Sequence, residues 1–230
     1  MNNTVIQLDI NSLLPKARSY FAGACGFVDG NKKHQRMAND ADSVLHKGMG
    51  GLRPSAIVSA YNGNVLADDC ATLDGVSFRC AAFARINPDS IKKFYAFILT
   101  VGEVTPPDDS GLGQLYADIW GTVFTDAAIG SLSGLLADDA GGSCHMASFG
   151  PGLYGMDISN IHLIFDILNG SAIGVKAHKK SGCMVPAKSY AGFIIALSDA
   201  SMPPLTDCNN CSGNRRWCRL CKQWSQHGKK

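Results

Sequence analysis

Hydrophobic and polar positions along this chain switch irregularly between a helical and a strand period. From Gly111 to Ala137 the apolar residues Leu112, Leu115, Ile119, Val123, Ala127, Leu132 and Leu135 recur near the helical period, which predicts one long helix over 111–137. Similar spacing predicts short helices over 13–21 and 38–46. Runs rich in β-branched and aromatic residues predict strands over 54–61, 76–83, 94–101, 172–178 and 191–197. Asn87 caps a turn of helix ahead of the third of these, and Thr105-Pro-Pro-Asp-Asp109 follows it as a break. Asp157 is the expected cap of a helix over 158–168. Periodicity stops at Ser201-Met-Pro-Pro204, so the expected organisation is a body at 1–203 and a tail at 204–230. Helices and strands mixed without a repeating order imply an α+β fold with a largely antiparallel sheet.

Composition narrows the class. With 46% apolar and 17% charged residues in 230, the chain is neither disordered nor a charged coiled coil. The net charge of +2 hides an asymmetry: residues 208–230 hold six bases and no acid, which leaves the rest at −4. An acidic body argues against nucleic acid as a partner. The apolar runs Phe94–Val101 and Phe193–Leu197 fall short of the ~18 residues that cross a bilayer. Met1 to Ile10 has no secretory pattern, so a cytoplasmic protein with no membrane partner is expected.

Four of the nine cysteines, Cys208, Cys211, Cys218 and Cys221, form two C-x2-C pairs in the tail. Four thiolates at this spacing can enclose zinc or hold an iron–sulfur cluster, and Arg215, Arg216 and Arg219 offset their charge. A second candidate is the loop Ser148-Phe-Gly-Pro-Gly-Leu-Tyr-Gly-Met156. There Gly150, Gly152 and Gly155 allow close backbone approach, Pro151 stiffens the path, and Tyr154 offers a ring and a hydroxyl. No strand is predicted before it, and the dinucleotide fingerprint is absent. In Ser181-Gly-Cys-Met-Val-Pro-Ala-Lys-Ser189, Lys188 and Ser189 can donate to an anion, whereas Cys183 and Met184 read as packing residues. Gly121, Gly130 and Gly134 each weaken the long helix by about 1 kcal/mol relative to alanine, which implies that closeness to a neighbour or a ligand compensates. There is no nucleophile elbow and no Walker loop.

Taken in order, Asp118-Ile-Trp-Gly121 through Asp126, the loop at 149–156, Ile173-Gly-Val175 and Cys183 to Ser189 resemble the activation domain of vitamin B12-dependent methionine synthase, most closely its short stand-alone relatives. The likeness covers about residues 93–198. It implies a C-shaped α+β domain with a twisted antiparallel sheet that binds S-adenosylmethionine and presents it to cobalamin for reductive methylation. On this resemblance Asp126 takes the donor's ammonium, and Gly150, Pro151 and Gly152 line the nucleoside, with the family tyrosine at Leu153 or shifted to Tyr154. The family arginine that pairs with the donor's carboxylate falls near Ser148 or Ala147, which carry no charge, and Lys188 or a tail arginine such as Arg215 is the candidate substitute.

Two functions follow. One is an accessory protein of corrinoid-dependent methyl transfer, acting on a separate corrinoid protein or methyltransferase rather than as an independent enzyme. In that case an iron–sulfur tail would deliver an electron to cobalt, and a zinc tail would be structural or a docking site. The alternative is a non-catalytic scaffold that binds corrinoid or a protein partner.

Overall fold

The computed structural model describes residues 3–198. Its elements run β1 (Thr4–Gln7), α1 (Ile10–Cys25), α2 (Lys32–Gly48), β2 (Leu52–Tyr61), β3 (Leu66–Ala67), β4 (Cys70–Leu73), β5 (Val76–Arg79), β6 (Ile91–Gly102), α3 (Gly111–Asp139), β7 (His145–Phe149), α4 (Asn160–Ile167), β8 (Lys176–Ala177), β9 (Met184–Val185) and β10 (Ser189–Leu197). β1, β2, β6, β10 and β7 pair in that order as one antiparallel sheet. The three inner strands are apolar on both faces because both faces are covered. At Arg53-Pro54 the β2–β6 register shifts, which absorbs a proline that has no N–H for the ladder.

One face of the sheet carries α1, α2 and α3. Trp120 sits at their junction: its indole N–H donates to Ala41 O at 2.8 Å, and Phe21 stacks on it at 4.1 Å between centroids. Asp9, Asn31 and Ser110 cap the three helices by accepting bonds from backbone N–H groups of the first turn. The opposite face carries α4 and the small β3-β4-β5 sheet over an aromatic core of Phe78, Phe83, Phe94, Phe149 and Phe193.

α3 is 29 residues long and, by length and composition, apolar enough to cross a bilayer, a property that counting uninterrupted apolar runs misses. In the fold it packs against the sheet and two helices, with Tyr116, Trp120 and Phe124 buried. A helix enclosed on several sides needs an apolar surface on each of them. Of Gly121, Gly130 and Gly134 only Gly121 has a close neighbour; a Cβ at Gly130 or Gly134 would meet nothing within 4 Å. A protein neighbour of the expected kind is therefore present at Gly121.

The α+β class, the antiparallel sheet and the long helix stand as expected. Several local expectations do not. The strand over 172–178 is a 3-10 turn at Gly170–Ile173, and only Lys176–Ala177 pairs, because Gly174 takes a positive φ of 75°. The strand over 76–83 ends at Arg79, and Phe83 opens another 3-10 turn. Asp157 accepts from Ser159 N at 2.8 Å, in the turn before α4 rather than at its cap. A strand, β7, does lead directly into the glycine loop. Cys183 is exposed rather than packed, while Met184 lies against the lower core.

Candidate functional site

Asp118, Thr122 and Asp126 follow one another at four-residue intervals on α3, so they form a polar stripe on one side of the helix. Lys188, just before β10, reaches across Gly121 to this stripe. Its ammonium donates to Asp118 Oδ1 at 2.6 Å and to Thr122 Oγ1 at 2.9 Å. A Cβ at Gly121 would lie 2.8–3.2 Å from the lysine stem, so glycine is what lets the side chain cross the helix. The next residue is held from below: Ser189 Oγ lies 2.9 Å from Thr100 Oγ1 and 2.7 Å from Pro186 O. Both residues that sequence offered as anion donors thus have partners within the protein. Asp118 is two-thirds exposed, so Lys188→Met is expected to lower stability by less than about 1 kcal/mol in a denaturant melt.

Beside this stripe α1 and α3 enclose a groove of about 380 Å³ lined by Tyr20, Ala24, Asp118, Ile119, Thr122, Val123 and Asp126. Its walls are mainly apolar, with two carboxylates and a threonine. Asp126 is reached by solvent, yet enough protein surrounds the carboxyl that desolvation raises its pKa above the ordinary value. A carboxylate placed so attracts a cation more strongly than one on an open surface.

The glycine loop begins where β7 ends. Gly150 is buried, and a Cβ there would come within 2.8 Å of Tyr190 Cζ. Gly152, Tyr154 and Gly155 all take positive φ, at 85°, 56° and 78°. The turn is closed by Leu153 N–H to Gly150 O at 3.0 Å and Met156 N–H to Leu153 O at 2.9 Å. Leu153 is left exposed at the tip while Tyr154 packs edge-on against Phe149 at 5.7 Å. The loop is anchored to the lower layer by Ala82 N–H donating to Tyr154 O at 3.3 Å.

Tyr190 connects loop and helix, and sequence reasoning passed it over. Its ring stacks on Phe97 at 5.8 Å. Burial raises its pKa to about 12, with further contributions from Tyr154 and Asp126, so the two tyrosines and the α3 carboxylate sense one another. The available signal was position alone: Tyr190 follows Ser189 and opens the last buried strand. Ser148 and Ala147 lie within β7, pairing with Ile194 and Ile195 of β10, and bring no charge. Cys208, Cys211, Cys218 and Cys221 lie outside the described residues, and within those residues no cluster of three metal-ligating side chains occurs.

The fold as a whole matches a solved structure. The chain shares its fold with the MetH reactivation domain. The crystal structure of that domain bound to AdoHcy superposes with a TM-score of 0.63 at 13% sequence identity, covering 89% of this chain and 81% of the MetH reactivation domain. No family model and no curated protein matches the chain.

Proposed function

We propose that this protein binds S-adenosylmethionine at the α3 stripe and serves a separate corrinoid protein or corrinoid-dependent methyltransferase as a reactivation accessory. The observation that carries this reading is the fold shared with a domain whose structure holds AdoHcy, the demethylated form of that donor. The chemistry of the residues fits the ligand. Asp126 offers a partly desolvated carboxylate to a cationic amino group, Gly150, Pro151 and Gly152 offer close backbone, and Tyr190 with Tyr154 offers aromatic faces and hydroxyls. S-adenosylmethionine supplies an electrophilic methyl group. The chain's own share is to bind and orient that donor, and Lys188 helps by fixing the start of β10 to α3.

Calorimetric titration with S-adenosylmethionine tests the reading. Binding in the micromolar range is expected, weakened about 10- to 100-fold in Asp126→Asn by loss of a charge-assisted contact and only a few-fold in Tyr190→Phe. An absence of heat at millimolar donor overturns it. The raised pKa of Asp126 means that the folded protein holds a proton there more tightly than the unfolded chain does. Its contribution to stability therefore declines as pH rises through the folded pKa, and at neutral pH the charged carboxylate is a burden. Asp126→Asn is accordingly expected to melt no lower than the parent at pH 7 while it binds the donor less well.

For the tail we propose a zinc or iron–sulfur site on Cys208, Cys211, Cys218 and Cys221. Anaerobically purified protein with broad visible charge-transfer bands supports electron delivery to the corrinoid. Colourless protein with one zinc per chain assigns the tail a structural or docking role. The second reading, a scaffold for corrinoid or a protein partner, is favoured by the neutral Ser148 and Ala147 and by the engagement of Lys188 with Asp118.

A further inference from the structure

Two sulfur atoms meet where the end of α3 passes over the edge of the sheet. Residues two apart on a strand share a face, and Cys144, just before β7, and Met146 within it both pack against the core on the α3 side. Cys144 Sγ lies 3.6 Å from Met146 Sδ and 3.6 Å from Ala137 O in the last turn of α3. Both residues are partly exposed, so solvent reaches the pair. From Asp139, at this end of α3, the helix runs about 20 Å back to Asp126, so the pair is separate from the donor site.

The surroundings favour a cation. The last carbonyls of a helix form the negative end of its dipole, and Asp138 and Asp139 add two carboxylates. The nearby bases are engaged with oxygen: Lys93 pairs with Asp139 at 2.8 Å, and Lys92 donates to Ser143 O at 3.3 Å. Tyr95 O–H donates to Asp139 at 2.7 Å and to Leu136 O at 3.2 Å. His145, between the two sulfur residues, alternates to the other face of the strand.

The kind and number of donors select the ion. Structural zinc takes four ligands and calcium takes oxygen, so a thiolate with a thioether suits neither. Cuprous copper is soft and is selected by cysteine and methionine sulfur. Metal–sulfur bonds of about 2.3 Å span sulfurs 3.6 Å apart at an angle of about 100°, so one ion reaches both, and the unbranched methionine side chain adjusts to it. We propose that Cys144 and Met146 form a binding site for cuprous copper. Binding forms one bond to each sulfur and releases the thiol proton of Cys144 to solvent, with no change of oxidation state.

The test reads methionine, so cysteines elsewhere in the chain, those of the tail included, do not supply the signal, and the donor reading stands or falls separately. Full-length protein carrying 13C in its methionine methyl groups is titrated anaerobically with the acetonitrile complex of Cu(I) until copper exceeds the nine cysteines. The Met146 methyl resonance, identified by its loss in Met146→Leu, is expected to move. Met37 and Met49, which have no cysteine beside them in the chain, serve as references and are expected to stay. The movement should be absent from Cys144→Ser and from Cys144→Ala, the second of which keeps the apolar contact with the core, and Zn(II) should leave Met146 in place. A stationary Met146 methyl, equal movement of Met37 and Met49, movement that persists without the Cys144 thiol, or the same response to Zn(II) would overturn the proposal.

Discussion

Gly192→Ala is expected to lower stability by about 3 kcal/mol, a fall of about 6–12 °C in melting temperature for a chain of this size, and to abolish the proposed donor binding with it. Gly192 lies in β10 opposite Phe97 of β6, and its missing side chain points at the strand on the other side. A Cβ there would lie 3.2 Å from Gly150 Cα and closer still to Phe149 O. Both are backbone atoms, so no rotamer change relieves the overlap. Relief requires moving the end of β7 and the glycine loop that starts there, which carries Gly150 away from Tyr190. Gly130→Ala is the matched control. That position sits within α3 with open space around it, so the same substitution is expected to stabilise by about 0.5–1 kcal/mol. Thermal melts of the two variants should move in opposite directions, and a melt of Gly192→Ala at the parental temperature would contradict the close approach of β10 and the loop.

Trp120→Ala is expected to cost about 3–5 kcal/mol, the largest loss from a single truncation on the helical side. The indole is 1% exposed and bridges three helices: it belongs to α3, stacks on Phe21 of α1 and donates to Ala41 O of α2. Truncation opens a cavity and removes a buried hydrogen bond that ties α3 to α2. Trp120→Phe retains much of the volume and loses only the hydrogen bond, so a cost of about 1–2 kcal/mol is expected in chemical denaturation. The pair also bears on function. Tyr20 is the neighbour of Phe21 and Ile119 that of Trp120, so this stack fixes the width of the groove that Asp126 lines. Donor affinity should survive in Trp120→Phe and fail in Trp120→Ala.

What could be read from the sequence followed the strength of local pattern. The strands ending at Val101 and Leu197 are buried on both faces and appear as apolar runs; the long helix shows its period over seven turns. β1 and β7, at the two edges of the sheet, are four and five residues long and carry no clear alternation, so they emerge only as partners of β2 and β10. The strand expected over 172–178 failed for a related reason: the β-branched Ile173 and Val175 signal burial, and both pack against the lower core from either side of the turn at Gly174 without pairing as a strand.

For the site the division is sharper. The glycine loop and Lys188 with Ser189 were each legible as residue types suited to a ligand, and Asp126 came from the family resemblance. Their grouping was not, because contacts between Lys188 and Asp118, or between Tyr190 and Gly150, join positions 70 and 40 residues apart in the chain. Tyr190 carries no motif and acquires its shifted pKa only from burial and from neighbours that the sheet brings to it. The sequence by itself determined the α+β class, the central strands, the long helix and the candidate chemistry, since these depend on periodicity and residue type within one segment. Only the tertiary structure decided that Lys188 is bound to Asp118, that Tyr190 lies against Gly150 and that α1 and α3 leave a groove between them, because each depends on packing between segments that local periodicity does not encode.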